Sequence, residues 1–177
     1  MAGSLVVWIT LALFIFWGVG LYNRLMRMRA RGLGALGSVQ KHMHHFSALV
    51  QEVSHGVENP PGQTAGHWSG LLDHVQALEE SLKDAMAAPW TPQALARLGT
   101  DYGALQESWR LWVGMPADLA GPAVPLTLQT QWAAISQRVD SARNGFNQIV
   151  TKYNEALDQI PACWVAAAMG FKPGGLQ

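Results

Sequence analysis

Three histidines fall within four positions of one another, His42, His44 and His45 in the stretch KHMHHF. Imidazole is a common zinc ligand and the side chain that titrates nearest neutral pH, so the cluster is the first place to look for chemistry. A metal centre would need these nitrogens to converge at about 2.0–2.1 Å from one ion. On a helix His42 and His45 share a face while His44 points elsewhere. No HExxH, CxxC or acidic residue at ligand spacing accompanies them. His42 also falls on an apolar stripe, which favours a hydrogen bond to a neighbouring helix over a metal site and leaves a pH-sensitive contact as the remaining interest.

The other candidates carry less. Cys163 is the single cysteine, so no intrachain disulfide can form. Its thiol could be acylated or oxidised at a membrane surface, but no His–acid pair stands near to activate it, and a small apolar packing role is expected. Asn147 and Asn154 lie seven residues apart, beside the apolar stripe of a predicted helix. Without a nucleophile or base they read as hydrogen-bonding residues that fix helix register. No Gly-rich phosphate loop, paired-carboxylate site or nucleophile elbow is present. The expectation is a protein that is not an enzyme, with no cofactor, no metal and no small-molecule substrate.

The elements that would position these residues are written in the hydrophobic pattern. Hydrophobic residues make up 49% of the 177 and charged residues only 14%, about half the usual share, which fits a surface that meets lipid or protein. Net charge is zero, yet no acid precedes Glu52, while Arg24, Arg27, Arg29, Arg31 and Lys41 all do. A nucleic-acid partner is not expected, because the balance is not basic. Residues 4–22, SLVVWITLALFIFWGVGLY, hold no charge and would span about 28 Å as helix, close to the hydrocarbon thickness of a bilayer. A cleaved signal peptide would carry a basic n-region and a shorter apolar run, so residues 1–23 are read as a transmembrane anchor. Trp8, Trp17 and Tyr22 are candidate interfacial anchors. The arginines that follow the span place its C-terminal side in the cytoplasm and its N-terminal side outside, and could draw anionic headgroups.

Beyond the span every periodic stretch is helical. Leu25, Met28, Gly32, Ala35, Val39, His42, Phe46, Leu49 and Val53 follow a 3-4 spacing, widened by Leu36, Met43 and Val50. Four helices are predicted, over about 24–57, 65–87, 92–113 and 127–160, the first continuous with the span. GVENPPGQTAG breaks the first from the second, Thr91-Pro92 is an N-cap signal for the third, and Pro161 stops the fourth. Trp109, Trp112 and Trp132 are assigned to the core. The fold class expected is all-α: a transmembrane helix running into an antiparallel up-down-up-down four-helix bundle over 24–160. Helix four would then return to the level where helix one left the bilayer. The apolar tail, 161–177, is too short to cross, and is read as an interfacial segment with Trp164 and Phe171 toward lipid and Lys172 at the headgroups.

Two stretches carry a resemblance. LYNRLMRMRARGLGALGSVQKHMHHFSALV, with Tyr22-Asn23 after the span, resembles the N-terminal signature of the LemA family of bacterial membrane proteins. ARNGFNQIVTKYNEALDQIPACWVAAAMGFKP resembles that family's C-terminal signature, through Ala142-Arg143, Asn147, Tyr153-Asn154, Pro161 and Gly170-Phe171-Lys172-Pro173. Two departures stand out. KHMHHFSALV lacks the basic, proline-containing run usual in the family's first helix, and Phe146 stands where a tyrosine is common. The resemblance implies a helical bundle anchored in the bacterial inner membrane. Some relatives are tied to building specialised membranes, magnetosomes among them, and others to membrane proteases of the HtpX type. The function expected is a self-assembling, homo-oligomeric scaffold that organises or shapes membrane lipid at the cytoplasmic face. The alternative is an adaptor that binds and regulates a membrane protease or transporter.

Overall fold

The computed structural model describes residues 2–56, 63–116, 124–159, 167 and 169–175, with side chains described from Leu5 onward except at 55, 56 and 63–65. Among the described residues all regular structure is helical: α1 (Ala2–Gly56), α2 (Gln63–Ala87), α3 (Pro92–Val113) and α4 (Leu126–Asp158). The sequence-predicted bounds 65–87, 92–113 and 127–160 differ from α2, α3 and α4 by no more than two residues at any end, and the range 24–57 falls to the second part of α1, which is continuous with the apolar stretch before it.

α1 is one unbroken helix of 55 residues, about 82 Å long. No proline falls within it, so nothing removes a backbone donor from its ladder. It is the one helix among the described residues long and apolar enough to cross a membrane by length and composition, with an 18-residue window of mean hydropathy 2.2, none of it buried in the fold. From Leu5 to Trp17 its side chains all stand exposed. Leu25 is the first that is fully covered.

From there α1 contributes a seam. Leu25, Gly32, Leu36, Val39, Met43, Phe46 and Val50 are buried, which is heptad spacing. Ala35 and Val53 sit at its edge, partly buried against the core. The seam thus runs through the residues that widened the sequence-derived stripe, one position round from His42. His42 is only half-buried for that reason. Leu49 and Ser47 are buried beside the seam.

Each partner helix buries one face. Leu71, Val75, Leu78, Leu82 and Ala85 are buried on α2, and Leu95, Leu98, Tyr102, Leu105, Trp109 and Trp112 on α3. α4 buries Leu128, Trp132, Ile135, Val139, Phe146, Val150, Tyr153, Ala156 and Leu157. α1 packs chiefly on α4, α2 chiefly on α3, and α1 also on α2. Along α1 successive positions meet receding positions of α4: Leu25 clusters with Tyr153, Ala156 and Leu157, and Phe46 meets Trp132 at a ring separation of 4.5 Å.

α3 and α4 meet through side chains. The Trp109 and Trp132 rings stack 4.1 Å apart, within 5° of parallel. Trp132 Nε1 donates to Gln106 Oε1 at 3.1 Å, Gln106 Nε2 donates to Ser136 Oγ at 3.0 Å, and the Tyr102 hydroxyl donates to Asp140 Oδ1 at 3.1 Å. These directed bonds hold the register of two surfaces that apolar packing alone would let slide. Arg143 lies over the Tyr102 ring, 4.9 Å from its centroid.

The third helix starts where Thr91-Pro92 predicts, but Thr91 makes no side-chain cap bond. Its threonine is exposed, and the turn is closed by backbone instead: Thr91 N donates to Ala88 O at 3.0 Å and Leu95 N to Thr91 O at 3.2 Å. Pro92 supplies the preset φ of a first helical position.

Candidate functional site

The most elaborated contact set lies at the end of the bundle where α1 emerges from its exposed apolar length. At its centre is Trp90, in the short turn between α2 and α3. Its indole is wedged between glycines on two separate parts of the chain. A Cβ added at Gly32 on α1 would stand 2.6 Å from Trp90 Cη2, and one at Gly174 would stand 2.8 Å from Trp90 Cε3 and 3.1 Å from Val150 Cγ1. Gly175 is closer still to backbone: a Cβ there would lie 2.5 Å from Pro92 Cα. Only residues without a side chain fit these places. Against the same indole lie Tyr153, at a ring separation of 5.1 Å, and the Arg29 guanidinium, 5.5 Å from the ring centroid.

The segment 170–175 is held here as a peptide ligand would be, through its backbone. Asn154 Nδ2 donates to Gly174 O at 3.0 Å, and Gly174 N donates to Asn154 Oδ1 at 2.9 Å, so one side-chain amide satisfies both groups of a buried glycine. The Tyr153 hydroxyl donates to Lys172 O at 3.1 Å. Burial pushes the Tyr153 phenol up from its ordinary value of 10.0, opposed by the nearby Arg29 charge, so the hydroxyl keeps the proton it donates. Phe171 is half-buried, 5.8 Å from Tyr22 in an edge-on arrangement, and its ring lies 5.8 Å from the Arg29 guanidinium. Gly170 has φ of 75°, the left-handed conformation that glycine adopts without strain, and it turns the chain into this segment. Each neutral hydrogen bond is worth about 1 kcal/mol net and each cation–π contact about 0.5–2 kcal/mol, so several modest terms converge on one place.

The sequence-derived site residues are distributed as follows. Trp8, Trp17 and Tyr22 are exposed along α1, as are Asn23, Arg24, Arg27 and Arg31. Arg29 differs: it is half-buried between Trp90 and Phe171. Lys172 is exposed while its carbonyl is engaged. Asn154 bonds the returning tail, where a bond to a neighbouring helix was expected, because the tail backbone lies closer to it. Asn147 is half-buried on α4. Pro161, Cys163 and Trp164 lie outside the described residues. Trp90, the hub, is not a residue the sequence pattern marks. The AAPWTP turn gives it no periodicity, and its one signal is a large aromatic in a loop whose neighbours are small.

The histidines do not converge. His42 and His45 have ring centroids 6.1 Å apart, His44 Nδ1 faces Glu79 on α2 at 3.9 Å, and no group of three His, Cys, Asp or Glu side chains gathers among the described residues. His42 Nδ1 is shielded from solvent without a hydrogen-bond partner, against the expectation of a bond to the next helix, because the seam passes one position to its side. Burial lowers its proton affinity, and the charges of His45, Arg138 and Lys41 lower it further.

These features define an α-helical bundle with an exposed apolar N-terminal helix and a C-terminal segment clasped at the base of that helix. Residues 111–176, which carry α4 and the clasped tail, match the model of the LemA family. The match covers the closing signature quoted above and leaves the opening one outside it. No curated protein and no solved structure shows significant similarity to the chain.

Proposed function

We propose that the protein is a non-enzymatic scaffold, anchored in the bacterial inner membrane through α1, that self-assembles at the cytoplasmic face and organises or shapes the membrane. The observation that carries this reading is the continuity of α1. One uninterrupted helix holds both the exposed apolar stretch and the seam of the core, so the bundle stands rigidly on its anchor. The helix pairings support an up-down-up-down course, in which α4 ends beside the exit of α1. Arg24, Arg27 and Arg31, exposed past the apolar stretch, support a cytoplasmic bundle by the positive-inside rule.

Self-assembly draws its support from α1 as well. Gly18, Gly20 and Gly37 have no atom within 4 Å of where a Cβ would stand, which leaves small-residue surface open to close helix approach. The tryptophans of the bundle do not add to this, since Trp109, Trp112 and Trp132 are consumed by the core. The test is the mass of the full chain purified in detergent, followed by imaging after reconstitution on lipid. Higher-order homo-oligomers are expected. A strictly monomeric protein that forms no ordered array on lipid overturns the scaffold reading, and a defined complex with another membrane protein would favour the adaptor role instead.

A further inference from the structure

We propose that the groove between α1 and α4 around His42 and Arg138 is a binding site for a phosphate-bearing soluble anion. The groove, about 470 Å³ and open to solvent, is lined by Ser38 and His42 from α1 and by Gln137, Arg138 and Ser141 from α4, with Ala142 at its side. Each polar residue among these can donate a hydrogen bond, and none is a carboxylate. The charged groups that bear on His42 are Lys41 and His45 on α1 and Arg138 on α4, all of them cationic or able to become so.

Among the described residues no acidic side chain pairs with this group. Arg97 pairs with Asp84 and Asp101, and Arg110 with Glu107, whereas among the described residues Lys41, His45 and Arg138 make no ion pair. A positive cluster that the fold leaves uncompensated is satisfied by an anion that accepts several hydrogen bonds. A phosphate group, with three or more acceptor oxygens, fits a lining made of donors. Ser38 to His42 lie about 24–30 Å along α1 past Tyr22. That is beyond the headgroups expected at the end of the apolar stretch, which points to a soluble ligand. Protonation of His42 adds a charge to the site, so binding strengthens as pH falls toward and below 6.5, the ordinary value from which burial and the neighbouring charges depress it.

The experiment follows the histidine imidazole resonances of the full chain in detergent micelles during titration with inorganic phosphate, against chloride at matched ionic strength. A saturable, phosphate-specific shift of His42 and an upward move of its titration midpoint are expected. Arg138→Gln weakens binding by about tenfold or more, the loss of one charge-assisted bond, while Arg138→Lys, which keeps the charge, recovers part of it. Arg138 is exposed, so neither variant threatens the core. A His42 signal unmoved by phosphate overturns the proposal, as does Arg138→Gln binding as well as the parent. A shift produced by vesicles of anionic lipid and not by phosphate overturns the assignment to a soluble ligand.

Discussion

Replacing Gly32 by alanine and Gly34 by alanine makes the same chemical change two residues apart on one helix, and the two changes are predicted to differ in sign. In a helix interior glycine costs about 0.8–1 kcal/mol relative to alanine, so both variants gain that much. At Gly34 nothing lies within 4 Å of the new methyl, and the gain stands alone. At Gly32 the methyl would sit 2.6 Å from Trp90 Cη2 and 3.0 Å from Trp90 Cζ2. The indole has little room to withdraw, because Tyr153, Arg29 and Gly174 hold its other sides. Overpacking of this kind costs about 1–3 kcal/mol, which exceeds the helical gain over most of its range.

The helical term cancels between the two variants, so the difference between them isolates the Trp90 contact at about 1–3 kcal/mol. For a chain of this size 1 kcal/mol moves the midpoint by about 2–4 °C. Thermal unfolding in detergent, followed by tryptophan fluorescence, should therefore show Gly34→Ala above the parent and Gly32→Ala below it. In the double variant Gly32→Ala/Trp90→Ala the penalty at Gly32 should vanish, leaving a coupling of about 0.5–3 kcal/mol. A Gly32→Ala protein as stable as Gly34→Ala would refute the claim that Trp90 is wedged against α1.

Three further outcomes follow from the same geometry. Asn154→Ala removes both partners of the buried Gly174 backbone, at about 2 kcal/mol for two bonds, and hydrogen exchange at the Gly174 amide should accelerate to that of an open segment while amides of α3 stay protected. Tyr102 is pushed up from its ordinary value of 10.0, by burial first and then by the Asp140 charge and hydrogen bond; the folded state thus holds its proton where the unfolded chain releases it, so its contribution is complete below about pH 10 and is lost as pH rises above that value. Tyr102→Phe should flatten that alkaline fall in urea midpoints and cost about 1–2 kcal/mol at neutral pH through the lost bond to Asp140. Arg29→Gln should lower bundle stability by about 1 kcal/mol through two lost cation–π contacts, whereas Arg27→Gln, exposed on the same helix, should leave stability unchanged and weaken attachment to anionic vesicles, which flotation with and without anionic lipid would resolve.

Helix number and type were legible in the sequence because burial imposes a 3.6-residue period on each segment. α3 shows this most cleanly, since Leu95, Leu98, Tyr102, Leu105, Trp109 and Trp112 recur at helical spacing and all six are buried. The position of the seam on α1 was less legible. A wide apolar stripe is compatible with two neighbouring lines of contact, and only the partner helix decides between them. That is why His42 reads as interior yet stands at the edge, while Leu36 and Met43 are fully covered. The clasp was hidden for a different reason. Its hydrogen bonds run from side chains to backbone, and a backbone carbonyl carries no signature of residue type. Gly174 accepts and donates to Asn154 as any residue could; its identity is required by the Trp90 ring, which stands far away in sequence.

Tyr22, Tyr153, Asn154 and Phe171, motif residues far apart in the sequence, belong in space to one set of contacts. Tyr22 touches Phe171, Tyr153 holds Lys172, and Asn154 holds Gly174. Each pair joins α1 or α4 to the tail, and Arg29 bridges the tail to the α2–α3 turn through Phe171 and Trp90. The arginine run past the apolar stretch therefore divides into two kinds of work. Arg24, Arg27 and Arg31 remain exposed, while Arg29 is turned inward to fasten the base of the bundle. A helix that only tethered a domain would need no such fastening, because a flexible joint would serve. The contacts at this end stiffen the junction, so that the direction of the apolar length of α1 and the direction of the bundle are fixed together. Rigid orientation is what the proposed scaffold needs if its copies are to pack in register on a surface, and a protein that only tethered a domain would gain nothing from it.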